Sequence, residues 1–471
     1  MRRNQTQTPL YDALQQMAGR ESVSFHVPGH KNGRIFPERA RSFFGSVLPI
    51  DMTELVGLDD LHAPNEVIKE AQDLAAAFFG ADATFFLVGG STAGNLAMVM
   101  AVCSPGDKII VQRNSHKSIM NGLELSGARP VFAAPEFDKS KGRYTAPAIH
   151  TIREALRQHP EAKAVVLTYP DYFGGIFPLK EMIDLAHAYD VPVLVDEAHG
   201  VHFPLGSKFP AAALELGADA VVQSAHKMAP AMTMGSYLHV RSPRIAIERI
   251  RHYLQMLQSS SPSYPIMASL DLARFHMVGM TEHEIDLVIE SADHLKGILA
   301  DGPWEVLESD DPLKITLQAR SGLTGDALAQ AFEREGIYPE LSTHNQVLMV
   351  HGLAPFTKTA HLKNAVKRIG AQLKFTANHA IMKMNVLFTE KLTELDLDYQ
   401  TMLERRTTQV PLQQSAGYIA AEAVIPYPPG IPIILKGEKI TERHLQLVEE
   451  MLQQNVSFQH RSITGRITVF E

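Results

Sequence analysis

The 471-residue chain has one cysteine, Cys103, one tryptophan and no surplus of positive charge. A lone cysteine excludes an internal disulfide and any metal site built from several thiolates. Lysine and arginine number 44 against 52 aspartates and glutamates, a formal charge of -8 at pH 7. A nucleic-acid binder neutralises phosphates with a concentrated basic face, so no nucleic-acid partner is expected. No apolar run reaches the roughly 18 residues a spanning helix needs. Met1-Arg2-Arg3-Asn4-Gln5-Thr6 leads into polar residues instead of an apolar signal segment. The expectation is therefore a cytoplasmic protein with no membrane association.

What the chain has in quantity is apolar residues, 45% of the total, enough to bury a large core in more than one structural unit. After a start punctuated by proline and glycine, residues 66–79 show the period of an amphipathic helix closed by Gly80, and 83–88 read as a strand. The alternation then repeats: apolar runs at 108–111, 130–133, 164–168, 191–196 and 219–223 are separated by helix-length segments such as 151–158 and 179–188. Near-continuous apolar strands between helices predict an α/β domain with a mostly parallel sheet covered on both faces. From Trp304 the pattern changes to short strands at 304–308, 314–318 and 346–351 with helices near 325–335 and 359–373, a smaller α+β unit. The stretch Pro426-Tyr427-Pro428-Pro429-Gly430-Ile431-Pro432 precedes a helix expected over 442–453. The domains expected are an N-terminal segment 1–40, a large α/β domain 41–300, a small α+β domain 301–376 and a C-terminal domain 377–471.

Two strand ends carry the chemistry. Val193-Leu194-Val195-Asp196 ends on a carboxylate, and the next strand-like run leads into Ser224-Ala225-His226-Lys227. A lysine amine can attach covalently to the aldehyde of pyridoxal 5'-phosphate (PLP) and later carry a proton. A carboxylate in a low-dielectric site favours protonation of the PLP pyridine nitrogen, and a protonated ring withdraws electrons from the substrate α-carbon. Either residue alone reads as a turn cap or a surface lysine; together they point to PLP.

Other segments fit the same cofactor. Gly89-Gly90-Ser91-Thr92 stands where the first strand gives way to a helix. Glycine there admits an anion close to the backbone, the helix start offers N–H groups, and two hydroxyls add donors for a phosphate. Ser224 and His226 can complete that phosphate site. His116, in Asn114-Ser115-His116-Lys117-Ser118, follows another strand and can stack on the pyridine ring. Ala198 leaves room for the ring, and Thr168 can reach its oxygen. No metal is expected: in His26-Val27-Pro28-Gly29-His30 the proline and glycine break the helix that i, i+4 histidines would need.

Taken together, these segments resemble the ornithine/lysine/arginine decarboxylase family of fold-type I PLP-dependent enzymes, in its short bacterial form. The matching stretches include His26-Val27-Pro28-Gly29-His30-Lys31, Gly90-Ser91-Thr92, Arg113-Asn114-Ser115-His116-Lys117-Ser118, Asp196-Glu197-Ala198-His199, Ser224-Ala225-His226-Lys227 and Ser260-Ser261-Pro262-Ser263-Tyr264-Pro265. The resemblance implies the fold-type I PLP-dependent transferase architecture and decarboxylation of a basic L-amino acid (arginine, lysine or ornithine) to a polyamine-pathway amine. It makes Lys227, His116 and Asp196 the catalytic residues. Gly90, Ser91, Thr92, Thr168, Ala198, Ser224, His226 and Ser261 would join them in holding the cofactor. The Ser260–Tyr264 segment would enter the neighbouring subunit's site, implying a homodimer or a pair of dimers, and the proline-rich stretch would line the entrance. Glu54 and Glu422 are conceivable partners for the distal cation of the substrate. Rival readings are an α-oxoamine synthase, which also uses Asp-Glu-Ala-His-Gly but tends to carry glycines where Met228-Ala229-Pro230-Ala231-Met232 stands here, and a PLP-binding protein without turnover.

Overall fold

The computed structural model describes residues 4–320, 322–373, 388, 390–426, 432–453, 456, 458 and 465–471. Residues 427–431 of the proline-rich stretch and the boundary expected at 376/377 lie outside them. The chain divides into two compact units, Met1–Val102 with Pro192–Glu282 and Cys103–Val191 with His283–Glu471.

In the first unit the strands lie in the order Ala83–Leu87, Ser236–Val240, Ala220–Gln223, Val193–Asp196. The first two pairings are antiparallel and the third is parallel. Every residue of Val193–Asp196 and Ala220–Gln223 is buried, as a strand covered on both faces requires. The helix Gly90–Val102 packs close to them through Gly94. A Cβ on Gly94 would lie 2.7 Å from Leu87 Cδ1 and 3.0 Å from Val222 Cγ2, so glycine sets the helix-to-sheet distance. The strand Ser236–Val240 escapes the sequence pattern because it is antiparallel and follows the lysine turn with no crossover helix to announce it.

In the second unit Val165–Thr168, Lys108–Gln112, Arg129–Ala133 and Leu392–Glu394 lie side by side, the first two pairings parallel and the last antiparallel. A separate antiparallel sheet, Trp304–Leu307, Lys314–Ala319, Gln346–Val350 and Leu341–Ser342, packs with the helices Gly325–Arg334 and Thr359–Gln372 around Trp304, Phe332 and Val347. Three of these strands and both helices fall within a residue or two of those expected from the sequence; the short strand Leu341–Ser342 was not expected. A third small sheet, Thr407–Pro411, Arg466–Phe470 and Ile419–Ala420, shares a core with the helix Glu442–Gln453.

Arg113, directly after the strand Lys108–Gln112, ties this last region to the second unit's sheet. Its Nη2 donates to Glu438 Oε2 at 2.7 Å and Oε1 at 3.0 Å, and to the Ile433 carbonyl at 3.4 Å. The guanidinium also lies 5.8 Å from the centre of the Phe132 ring. Glu438 further accepts the Leu435 N–H at 2.8 Å. Only 3% of Arg113 and 8% of Glu438 is exposed, so removing one partner leaves the other charge buried. Arg113→Met should lower unfolding stability by about 3–5 kcal/mol in a denaturant titration, and adding Glu438→Leu should recover much of the loss. Equal losses in the single and double variants would contradict this.

Candidate active site

The strand ends of the first unit set out a polar cluster. Asp196, 3% exposed, closes its strand, and both carboxylate oxygens are held. Oδ2 accepts from Asn95 Nδ2 at 2.9 Å and Oδ1 from the Ala198 N–H at 3.2 Å. Each oxygen keeps lone-pair capacity for a further donor. Asn95 sits one turn along the same helix face as Ser91, so one helix addresses both strand ends. Ser91 Oγ lies 2.8 Å from the Oγ of Ser224, a fully buried residue directly after the strand Ala220–Gln223. Gly90 opens the helix at φ +75°, in the left-handed region that favours glycine, and a Cβ there would meet nothing within 4 Å. Thr92 is exposed on the first helical turn.

Lys227 lies half-buried on the single turn Ala225–Met228, with Nζ 3.1 Å from His199 Nε2. His199 is buried three residues beyond Asp196. His226 places Nδ1 3.0 Å from the Gly235 carbonyl, which fixes the proton on Nδ1. Its Nε2 can therefore donate to an anion only when the ring is charged. Ala198 is half-buried beside Asp196. Ser261 is exposed after the helix Ile247–Leu257, its N–H donating to Ser259 Oγ at 3.2 Å.

His116 and Thr168 belong to the second unit. His116 is exposed and caps the helix Lys117–Ser126, its Nδ1 accepting the Ser118 N–H at 3.2 Å. That bond orients the imidazole and puts the proton of the neutral ring on Nε2. Thr168 donates from Oγ1 to Ser115 Oγ at 3.4 Å, and its N–H donates to Gln112 Oε1 at 3.1 Å.

The first-unit cluster fits PLP by the chemistry of its donors: a half-buried lysine amine beside an imidazole, a buried carboxylate with both oxygens oriented, and hydroxyls at a glycine-opened helix start. Sequence reading missed Asn95, His199 and Glu197. Asn95 was recoverable as the residue four beyond Ser91; the contact of His199 with Lys227 depends on a tertiary approach that no spacing encodes. Glu197 is wholly buried, and burial pushes its carboxyl up to about 8, so it is largely protonated at neutral pH. Glu54 and Glu422 are both exposed; Glu54 accepts from Thr53 Oγ1 at 2.5 Å and Glu422 from the Thr468 N–H at 3.1 Å. His30, of the histidine pair, has its Nε2 3.1 Å from Asp51 Oδ2 and its Nδ1 accepting the Gly33 N–H. Among the described residues no group of three or more His, Cys, Asp or Glu is arranged to hold a metal ion, and no helix is long and apolar enough to cross a membrane.

Similarity to known proteins gives the family. Residues 8–309 match the family model for the Orn/Lys/Arg decarboxylase major domain, and residues 380–461 match the model for its C-terminal domain. The chain is 46% identical over 461 residues to a Bacillus subtilis (strain 168) protein named "Uncharacterized protein YaaO", covering 96% of each. It is 38% identical over 472 residues to the arginine decarboxylase of the same organism, covering 97% of this chain and 96% of the relative. Among solved structures, the lysine decarboxylase LdcF of Francisella novicida superposes over 98% of this chain and 81% of its own, with a TM-score of 0.83 at 20% identity. The serine palmitoyltransferase of Sphingomonas wittichii covers 71% of this chain and 83% of its own at a TM-score of 0.54 and 20% identity. The last two likenesses show the fold. With both family models matched and full-length relatives well above 30% identity, the chain belongs to the Orn/Lys/Arg decarboxylase family, and is a fold-type I, PLP-dependent amino-acid decarboxylase.

Proposed function

We propose that the protein converts L-arginine to agmatine and carbon dioxide, supplying an amine for polyamine formation, in the cytoplasm. The observation that carries the choice of arginine is near-full-length similarity to four relatives named arginine decarboxylase at 37–38% identity.

In this reading PLP, when bound, supplies an electron-withdrawing ring that accepts the electron pair released as the carboxylate leaves. Lys227 anchors the cofactor, gives way to the substrate amine and returns a proton to the α-carbon. Asp196 holds the proton on the pyridine nitrogen; Asn95 and the Ala198 N–H keep its carboxylate aimed. Gly90, Ser91, Thr92, Ser224 and His226 would hold the phosphate, and Ala198 would leave room for the ring. His199, 3.1 Å from Lys227 Nζ, is placed to exchange a proton with the amine.

We also assign a homodimer in which Ser261 serves the partner subunit's site. The N-terminal segment of the first unit supports the dimer: Val23, Phe25, Phe43 and Val56 are 80, 93, 83 and 96% exposed within a few dozen residues. Packing against a second copy of the chain would remove this apolar surface from water.

Incubation with arginine, lysine and ornithine, with the amine products quantified, tests the substrate. Agmatine should form fastest; cadaverine or putrescine as the main product would overturn arginine, and a condensation product from an added acyl thioester would favour the synthase. Lys227→Ala should abolish turnover and the visible absorbance of the bound cofactor, and an active, yellow variant would sink the assignment. Light scattering should give the mass of a dimer or dimer pair that falls to a monomer in Phe25→Asp/Phe43→Asp; a monomeric parent protein would overturn the dimer.

A further inference from the structure

Behind the proposed cofactor residues, one side chain from or beside each strand of the first unit joins a buried polar chain. Glu197 Oε2 lies 2.6 Å from Gln223 Nε2, Gln223 Oε1 lies 3.0 Å from His239 Nε2, and His239 Nδ1 lies 2.8 Å from Thr84 Oγ1. The other carboxyl oxygen of Glu197 accepts the Ala213 N–H at 2.7 Å. None of the four residues is more than 4% exposed.

Side chains alternate across a strand, so Glu197 leaves the opposite face from its neighbour Asp196. Asp196 meets Asn95 of the helix Gly90–Val102, whereas His239 packs against Phe79 of the helix Val67–Phe79, ring centres 4.4 Å apart. The polar chain is thus on the far side of the strands from the Asp196 carboxylate and cannot touch a cofactor there. What it does touch is the pair of strand ends: Glu197 is bonded through its chain to Asp196, and Gln223 stands four residues before Lys227. We propose that Glu197 and Gln223 are positioning residues whose side-chain bond fixes the spacing between Asp196 and Lys227 and so sets cofactor affinity. This rests on the assignment of those two residues to PLP.

The chain can stay fully paired without a buried charge. Turning the Gln223 amide over exchanges its oxygen and nitrogen between the same two neighbours: with Glu197 protonated, its O–H then donates to the Gln223 carbonyl oxygen, the Gln223 amide donates to His239 Nε2, and His239 Nδ1–H donates to Thr84. Burial keeps Glu197 protonated and holds His239 down to about 3, so both are neutral near pH 7. A glutamine at 197 has the donor and acceptor that this arrangement needs; an alanine has neither, and would leave one end of the Gln223 amide and the Ala213 N–H buried without a partner.

The test is PLP titration of apoprotein, followed by fluorescence and visible absorbance, alongside thermal unfolding of the apo forms. Glu197→Ala should weaken PLP binding by about ten-fold and shift the absorbance of the bound cofactor, and Glu197→Gln should restore both to within about two-fold. Gln223→Leu should weaken binding as Glu197→Ala does, and it serves as the second variant should Glu197→Ala not fold. Folded Glu197→Ala or Gln223→Leu with unchanged affinity and spectrum would overturn the inference, as would Glu197→Gln being as impaired as Glu197→Ala. Parent protein that binds no PLP would instead overturn the cofactor assignment beneath it.

Discussion

Parallel pairing of two short buried strands is the constraint on which the proposed chemistry depends. Val193–Asp196 and Ala220–Gln223 run side by side in the same direction, with Asp196 opposite Val222, so both release their chains at one edge of the sheet. A carboxylate and a lysine turn emerge there from backbones already fixed by ladder hydrogen bonds. An antiparallel arrangement would have sent the two ends to opposite edges. Each strand is buried throughout, so its register is fixed by packing on both faces.

The helix Gly90–Val102 converts that edge into a site. Gly94 lets it approach the strands, Gly90 turns the chain into its first turn, and Ser91 and Asn95 project from one face toward Ser224 and Asp196. The orientation of the Asp196 carboxylate therefore depends on a residue outside its own strand, and on a glycine that no chemistry would have singled out. The His199–Lys227 contact adds a second side chain whose effect on the amine comes from burial and proximity.

Legibility in the sequence followed the physics of each element. Apolar strands between amphipathic helices are conspicuous, and the strands ending near Gln112, Thr168, Asp196 and Gln223 were readable to within two residues because burial on both faces leaves an unbroken apolar run. The strand Ser236–Val240 was not readable: His239 breaks its apolar run, and its polarity is satisfied by Thr84 and Gln223, partners distant in sequence. Likewise the burial of Glu197 arises only once the fold closes over it. The glycine and hydroxyl cup, by contrast, is local, since a helix start and its flanking residues are adjacent in the chain. The split into two units made of interleaved stretches has no signal in chain order.

The central claim is a covalent one, that PLP attaches at position 227, on the turn beyond the strand neighbouring Asp196. Loading the purified protein with PLP, reducing it with borohydride and mapping its peptides by mass spectrometry tests that directly. The account predicts a single pyridoxyl-phosphate adduct, on the peptide containing Lys227. An adduct on another lysine, or none at all after loading, would contradict it.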